Sequence, residues 1–503
     1  MPSNLAAITT TPAGLRCLAP LIETTAQLWV APKLSPEATA LSLKHHIYDT
    51  SLAAFLQANW HEYEGFIFCL ASGAVVRLIA PLLTDKSNDP AVMVVDYSGK
   101  FAISLCGGHQ GGSDRLTHHI SQLLNAQPVL TGSANALNLP AIDTLGTPFG
   151  WRKGKGNWLG VSSAIARQAP IQVIQEAGSD LWQAHLPADH PFQFGFPEFE
   201  DRNRQPQPAA RVWISPIHRP FAPPAESDLP QSEASDLPTS DLPKVQWHPR
   251  VLWIGIGCER DTDEALIQFA VETVLKQHHL AIEAVAGVAS LDLKADEVGL
   301  LAFVQAQGWP LRCFSADTLK AIAVPNPSEI VAHEVGTPSV AEAAALFAAS
   351  ACDLPVKDLT VKKQVVKQPG LKGAVTVAVA QAEQEYTGRI GKLHLVGTGP
   401  GHLDQITPAA KGAIANADVV IGYALYVDLI RSLLTAGQIV EALPITQERQ
   451  RAERAIELAN WGLTVAVISS GDCGIYGMAG LVLEQLQAEK WDGKTPEVQV
   501  FPG

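Results

Sequence analysis

The sequence predicts a multidomain α/β protein: several small α/β units joined by a Pro/Ser/Asp-rich linker. Three observations carry this reading. The chain has 503 residues, which at roughly 150 residues per domain calls for about three to four domains. Hydrophobic residues make up 47% and charged ones only 17%, enough for buried cores and too apolar for global disorder. Short apolar runs repeatedly end in Gly or Ser turns and lead into helical spacing, the alternation of α/β units.

The elements follow in order. Residues 66–70 and 91–96 read as buried strands closed by Ala71-Ser72-Gly73 and Tyr97-Ser98-Gly99. Residues 113–124 take helical spacing after a glycine-rich turn. The apolar stretch 65–83 is long enough to suggest a membrane span, but Ser72, Gly73 and Arg77 inside it argue for strand, turn and helix start. Residues 136–201, rich in Pro and Trp, offer only 171–174 as a strand. Residues 202–246 repeat Ser-Asp-Leu-Pro at 227, 235 and 240. Proline stops helix and sheet, so this stretch is expected to be a disordered linker. Beyond it, 251–258 is a strand running into glycines and 263–277 an amphipathic helix; 284–289 and 311–314 are further strands. Lysine-rich 356–372 reads as a second linker. A last unit opens with strand 392–397. It continues through helix 408–417, strand 419–421, helix 447–460, and strands 465–468 and 498–500. The expected domains are 1–135, 136–201, the linker 202–246, 247–381 and 390–503.

Composition also excludes. A net charge of −14 argues against nucleic acid or an acidic membrane as partner, so a polyanionic ligand would need a local basic cluster. The seven cysteines are dispersed with no CxxC pair, which fits reduced thiols in a cytoplasmic protein and no zinc ribbon. Residues 1–20 lack the basic start and apolar core of a secretion signal. The histidine pairs at 45–46, 118–119 and 278–279 lack i, i+4 spacing, so no metal site is expected.

Two glycine loops then stand out. Gly397-Thr398-Gly399-Pro400-Gly401 follows one strand, and Ser469-Ser470-Gly471-Asp472-Cys473-Gly474-Ile475-Tyr476-Gly477-Met478-Ala479 follows another. At the carboxyl ends of neighbouring parallel strands they would form one ligand crevice. A dinucleotide fingerprint would need GxGxxG, and position 402 is His. Strand 419–421 also ends without the acidic residue that ribose recognition uses, which counts against a nucleotide-binding oxidoreductase. These loops resemble the signatures of the tetrapyrrole methylases, closest to precorrin-3B C(17)-methyltransferases, with Cys473 where Pro is common. The resemblance implies S-adenosylmethionine as cofactor, held by Gly397, Gly399, Pro400, Gly401, Gly471, Asp472, Tyr476 and Gly477. In that family a second α/β domain follows Pro-Gly, so a chain ending at Gly503 is expected to carry one wall of the cleft, an incomplete methylase.

The preceding residues resemble the cobalt-precorrin-5A hydrolases, which open a ring lactone and expel acetaldehyde. The resemblance rests on phrases in the family's order: Ser72-Gly73-Ala74-Val75-Val76-Arg77, Gly108-His109-Gln110-Gly111-Gly112, Gly255-Ile256-Gly257-Cys258, Asp292-Leu293-Lys294-Ala295-Asp296-Glu297, Pro325-Asn326-Pro327-Ser328 and the run 335–344. It implies a bifunctional cobalamin-pathway enzyme. Lactone opening and carbon–carbon cleavage need a water activated by a base, and cations for the developing oxyanion. The many carboxylates of the substrate need basic residues in the pocket. The catalytic candidates are His109 and Lys294; the substrate-binding candidates are Arg77, Lys86, Arg115 and Arg312. His109 also reads as a loop histidine capping the next helix, and Lys294 as a solvated ion pair with Asp292 or Asp296. Asp114 reads as a helix N-terminal residue, and Glu334 and Glu342 as helix-surface residues. Cobalt enters only as part of the substrate. The expected partners are tetrapyrrole intermediates and either a second copy or other corrin-pathway enzymes. The rival reading is a non-catalytic tetrapyrrole-binding scaffold.

Overall fold

The computed structural model describes residues 4–22, 25–84, 88–108, 111–132, 137–196, 207–221, 242–350, 358–371 and 373–503. It divides into two compact units. The first comprises Met1–Leu145, Ala184–Ala188 and Ile390–Gly503; the second comprises Gly146–Gln183 and Asp189–Arg389.

The first unit begins with strands β1 (Leu5–Thr9), β2 (Gln27–Val30), β3 (His45–Ile47), β4 (Gly65–Cys69), β5 (Ala91–Val95), β6 (Phe101–Cys106) and β7 (Gln127–Val129). They lie in the order β3-β2-β1-β4-β5-β6-β7, parallel except for β5 against β6. Every residue of β1, β4 and β5 is buried, as continuous apolar runs in a sheet covered on both faces require. The stretch 65–83 is strand, turn and the helix Ser72–Ile79, as expected. Among the described residues no helix is long and apolar enough to cross a membrane.

The second unit holds two sheets. One contains β8 (Arg152–Lys153), β9 (Ile171–Gln175), β10 (Phe192–Phe194), β11 (Ala210–Ile214) and β12 (Lys244–His248), in the order β10-β9-β11-β12-β8. Two of its strands correct the linker expected over 202–246. β11 lies inside that span, between β9 and β12, and β12 begins there. Ala210, Val212 and Ile214 alternate inward, and the ladder satisfies the backbone on both sides. A five-residue strand disappears when composition is averaged over a proline-rich window. The Ser-Asp-Leu-Pro repeats themselves lie outside the described residues.

The other sheet contains β13 (Leu252–Cys258), β14 (Val285–Leu291), β15 (Leu311–Phe314), β16 (Leu359–Val366) and β17 (Val375–Gln381), in the order β15-β14-β13-β17-β16. β17 runs antiparallel to both β13 and β16. The second expected linker, 356–372, therefore contains strand β16, and the lysines of that strand mark a sheet edge. The alanine-rich helix Val340–Ala348 covers β13 so closely that a Cβ at Gly255 would stand 1.8 Å from the Ala341 carbonyl oxygen. Glycine in the strand and alanine in the helix permit this approach.

The chain ends in the first unit with β18 (Lys392–Gly397), β19 (Val419–Tyr423), β20 (Ile439–Leu443), β21 (Thr464–Ser469) and β22 (Glu497–Phe501). This sheet, ordered β20-β19-β21-β18-β22, is fully parallel.

Candidate functional site

In the second unit the carboxyl ends of β13 and β14 open into a cavity of about 540 Å³. Its walls come from the phrases singled out in the sequence: Gly257 and Cys258 end β13, Lys294 follows β14, Ser328 starts a helix, and Ser339 to Ala341 start the helix over β13. Residues far apart in the chain therefore share one concave surface.

The cavity carries three cations: Arg260, Lys294 and Lys363. The Lys294 side chain is 15% exposed, and its Nζ lies 3.6 Å from Oε2 of Glu297. Arg260 Nη1 lies 3.7 Å from the same oxygen and 2.6 Å from Asp296 Oδ1. Glu297 itself is buried and accepts from the Asp261 amide at 2.8 Å through Oε1. The partner of Lys294 is thus Glu297, one turn on, rather than Asp292 or Asp296. Burial, the leading cause, pushes the Cys258 thiol above its ordinary range despite nearby Lys294. The cavity therefore presents a neutral thiol, a poor nucleophile.

Lys363 and Glu342 are features the sequence reading missed. Lys363 sits on β16, and its Nζ donates to the Asn326 carbonyl. Glu342, expected on a helix surface, is fully buried. Its carboxylate accepts from Asn326 N at 3.1 Å, Asn326 Nδ2 at 2.9 Å and Lys363 N at 3.0 Å. A glutamate in an alanine-rich segment carries no periodic sign of burial; the nearest signal was the adjacent Pro-Asn-Pro-Ser loop, whose donors need an acceptor. Glu334 is exposed at the cavity rim.

The other candidates lie elsewhere. Arg312 is not part of this wall: its guanidinium stacks 4.0 Å over Trp253 and donates to the Ala348 carbonyl at 3.0 Å. In the first unit, Arg77 is exposed and donates back to the Gly73 carbonyl at 2.9 Å. Arg115 is exposed on the helix Ser113–Leu124, where Asp114 occupies the first turn as expected. His109 and Lys86 fall outside the described residues. Among the described residues no His/Cys/Asp/Glu group could hold a metal ion.

The two glycine loops of the last sheet meet directly. They follow β18 and β21, which are parallel neighbours, and Gly399 and Gly471 exchange backbone hydrogen bonds at 3.2 and 2.9 Å. A Cβ at Gly397 would stand 2.4 Å from the Gly471 oxygen and 2.6 Å from the Gly503 nitrogen, so three strand ends converge on a floor of bare backbone. Pro400 and Gly401 are exposed at its edge. Asp472 Oδ1 accepts from Gly474 N at 2.7 Å. Gly477 precedes the helix Met478–Ala488, whose Met478 amide donates to Ser469 Oγ at 3.0 Å. Tyr476 stands fully exposed with φ +52°, a strained conformation that costs about 1–3 kcal/mol and concentrates at ligand sites.

Comparison with known proteins follows this division. Residues 54–135 match the family described as Cobalamin synthesis G N-terminal, 140–249 the Cobalamin biosynthesis central region, 252–380 the Cobalamin synthesis G C-terminus and 392–503 the Tetrapyrrole (Corrin/Porphyrin) Methylases. A cobalt-precorrin-5A hydrolase of Priestia megaterium is 31% identical over 335 residues, covering 66% of this chain and 83% of the relative. One from Salmonella typhimurium is 29% identical over 303 residues, 59% of this chain and 80% of the relative. A cobalt-factor III methyltransferase of Priestia megaterium is 50% identical over 114 residues, 22% of this chain, and the chain spans 21% of its length. Carrying the hydrolase regions in order along the length of these relatives, with a tetrapyrrole-methylase segment behind them, the chain belongs to the cobalt-precorrin-5A hydrolase family.

Proposed function

We propose that the protein acts in cobalamin biosynthesis, opening the ring lactone of cobalt-precorrin-5A and releasing acetaldehyde. The observation that carries this reading is the cation-lined cavity built from the hydrolase phrases of the second unit. Water adds to the lactone carbonyl and the ring oxygen leaves as an alkoxide. The alkoxide then collapses to the aldehyde, and the electron pair of the broken carbon–carbon bond passes to the macrocycle and is protonated. Lys294, little exposed and held 3.6 Å from Glu297, has the charge and position to stabilise the oxyanion. His109 is the proposed base. Cys258 is kept neutral by burial and takes no covalent part.

The methylase segment we assign to S-adenosylmethionine, whose sulfonium would supply a methyl group for C(17) methyl transfer on a tetrapyrrole. The bare backbone of Gly397, Gly399, Gly401 and Gly471 fits such a ligand because no side chain fills the floor, and Asp472 and Tyr476 stand beside it. The domain limits 1–135 and 390–503 belong to the same reading; the middle region expected over 136–201 extends through β11 and β12, which share its sheet, and the next domain runs from there to 381. A cytoplasmic location agrees with thiols that are free at Cys17, Cys69, Cys106, Cys258, Cys313 and Cys473.

The test is acetaldehyde release from cobalt-precorrin-5A by the full chain, trapped as a hydrazone. Lys294→Met is expected to lower kcat by roughly 10²-fold, the scale of losing one oxyanion donor, and His109→Asn by roughly 10²–10⁴-fold as loss of a general base. Stoichiometric binding of the substrate with no acetaldehyde would instead establish the scaffold reading.

A further inference from the structure

The cavity walls differ in how their charges are answered. On one side Arg260 and Lys294 both face the buried Glu297 carboxylate, and Arg260 also pairs with Asp296. On β16, Lys363 makes no ion pair among the described residues; its described side-chain bond is to the uncharged Asn326 carbonyl. That bond uses one of three ammonium donors. A half-buried cation on a cavity wall, whose ammonium has two donors unspent and no carboxylate in ion-pair range among the described residues, Glu259 and Glu334 of the same lining included, is a site for an anion that arrives with the ligand.

Its geometry is fixed from behind. The buried Glu342 carboxylate grips Asn326 twice, through its amide N–H and side-chain Nδ2, and takes the Lys363 backbone amide as well. Asn326 in turn presents its carbonyl to Lys363 Nζ. Glu342 therefore ties the loop that carries Ser328 to the strand that carries Lys363, and both residues line the cavity. Burying a carboxylate in an alanine-rich helix is expensive unless its oxygens are filled; here three N–H donors fill them, and their common effect is to set where Lys363 stands.

We propose that Lys363 is the receptor for a peripheral carboxylate of the tetrapyrrole, and that Glu342, through Asn326, is its positioning residue. This rests on the hydrolase reading only for the identity of the macrocycle. A carboxylate on Lys363 would place one edge of the ring system in the cavity, across from Lys294.

The experiment measures binding of uroporphyrin, a macrocycle with acidic side chains all round its rim, to the full chain by fluorescence quenching at two ionic strengths. Lys363→Met is expected to weaken binding about tenfold, the scale of one charge-assisted hydrogen bond, and to flatten the salt dependence. Lys363→Arg should hold affinity near that of the parent. Glu342→Gln should match Lys363→Met, and the double variant should be no weaker than either single one, as expected of residues acting as a unit. The same affinity and salt dependence in Lys363→Met as in the parent, or no uroporphyrin binding by the parent, would overturn the assignment. Additive losses in the double variant would remove Glu342 from it. Should Glu342→Gln not fold, the Met and Arg variants at 363 still decide. Binding that behaves as expected in a protein that releases no acetaldehyde would sink the hydrolase reading and leave this one standing.

Discussion

The Glu297 carboxylate takes one full hydrogen bond, from Asp261 N at 2.8 Å, while its second oxygen meets only Lys294 and Arg260, at 3.6 and 3.7 Å. That oxygen has no hydrogen-bond donor among the described residues. The carboxylate is 2% exposed, so its desolvation is offset chiefly by one amide and two cations at more than hydrogen-bond distance. Glu297→Ala leaves the Asp261 amide and Lys294 without their partner and is expected to lower stability by about 1–3 kcal/mol. Glu297→Gln, which keeps an acceptor for Asp261, should cost less; a urea titration of both variants checks the order, and equal midpoints would contradict it. Residue by residue, Lys294 was legible because it stands in the hydrolase phrase 292–297, but not that its partner is Glu297, since Asp292 and Asp296 flank it more closely in the chain. Lys363 was illegible for a related reason: lysine density reads as tether, and only sheet pairing shows that one of those lysines faces a cavity.

At the level of elements, the crevice of the last sheet depends on how closely the ends of β18, β21 and β22 approach. Gly397 ends β18, and a Cβ there would press on backbone atoms of Gly471 and Gly503. Backbone cannot rotate away as a flexible side chain can, so Gly397→Ala must separate the loops and break the Gly399–Gly471 pair. The expected result is loss of S-adenosylmethionine binding, at least tenfold by calorimetry, with the hydrolase half unaffected in its acetaldehyde release; unchanged binding would remove the loops as its floor. Strands β13, β18 and β21 were legible because apolar runs lead into glycine turns, and the helix Ser113–Leu124 because helical spacing follows one. Strands β11 and β16 were not: β11 is five residues among prolines, and β16, though eight residues long, carries lysines in its middle. What places such strands is a neighbour's unpaired ladder, which is a tertiary fact.

Across the whole molecule, acid should be destabilising well before the carboxylates protonate. His118, His119, His185, His248 and His394 each have their pKa lowered, in every case first by burial. In the unfolded chain a histidine protonates near 6.5. Below that pH the unfolded state binds protons that these folded rings do not, so stability rises with pH through this range and is lost as pH falls below about 6.5. Carboxylates such as Asp96, where hydrogen bonds from Ser98 and Phe101 outweigh the opposing effect of burial, are also depressed, but their contribution fades only below about pH 4. The histidines sit in both compact units: His248 in the second, the others in the first. Both should therefore weaken between pH 7.5 and 5.5, the first unit through four histidines and the second through His248. Thermal melting at the two pH values checks this, and a midpoint that holds or rises at pH 5.5 would contradict it. His394→Leu, which removes a ring buried between β18 neighbours and facing Phe501 at 5.2 Å, is expected to lessen the pH slope of the first unit and leave that of the second as it is.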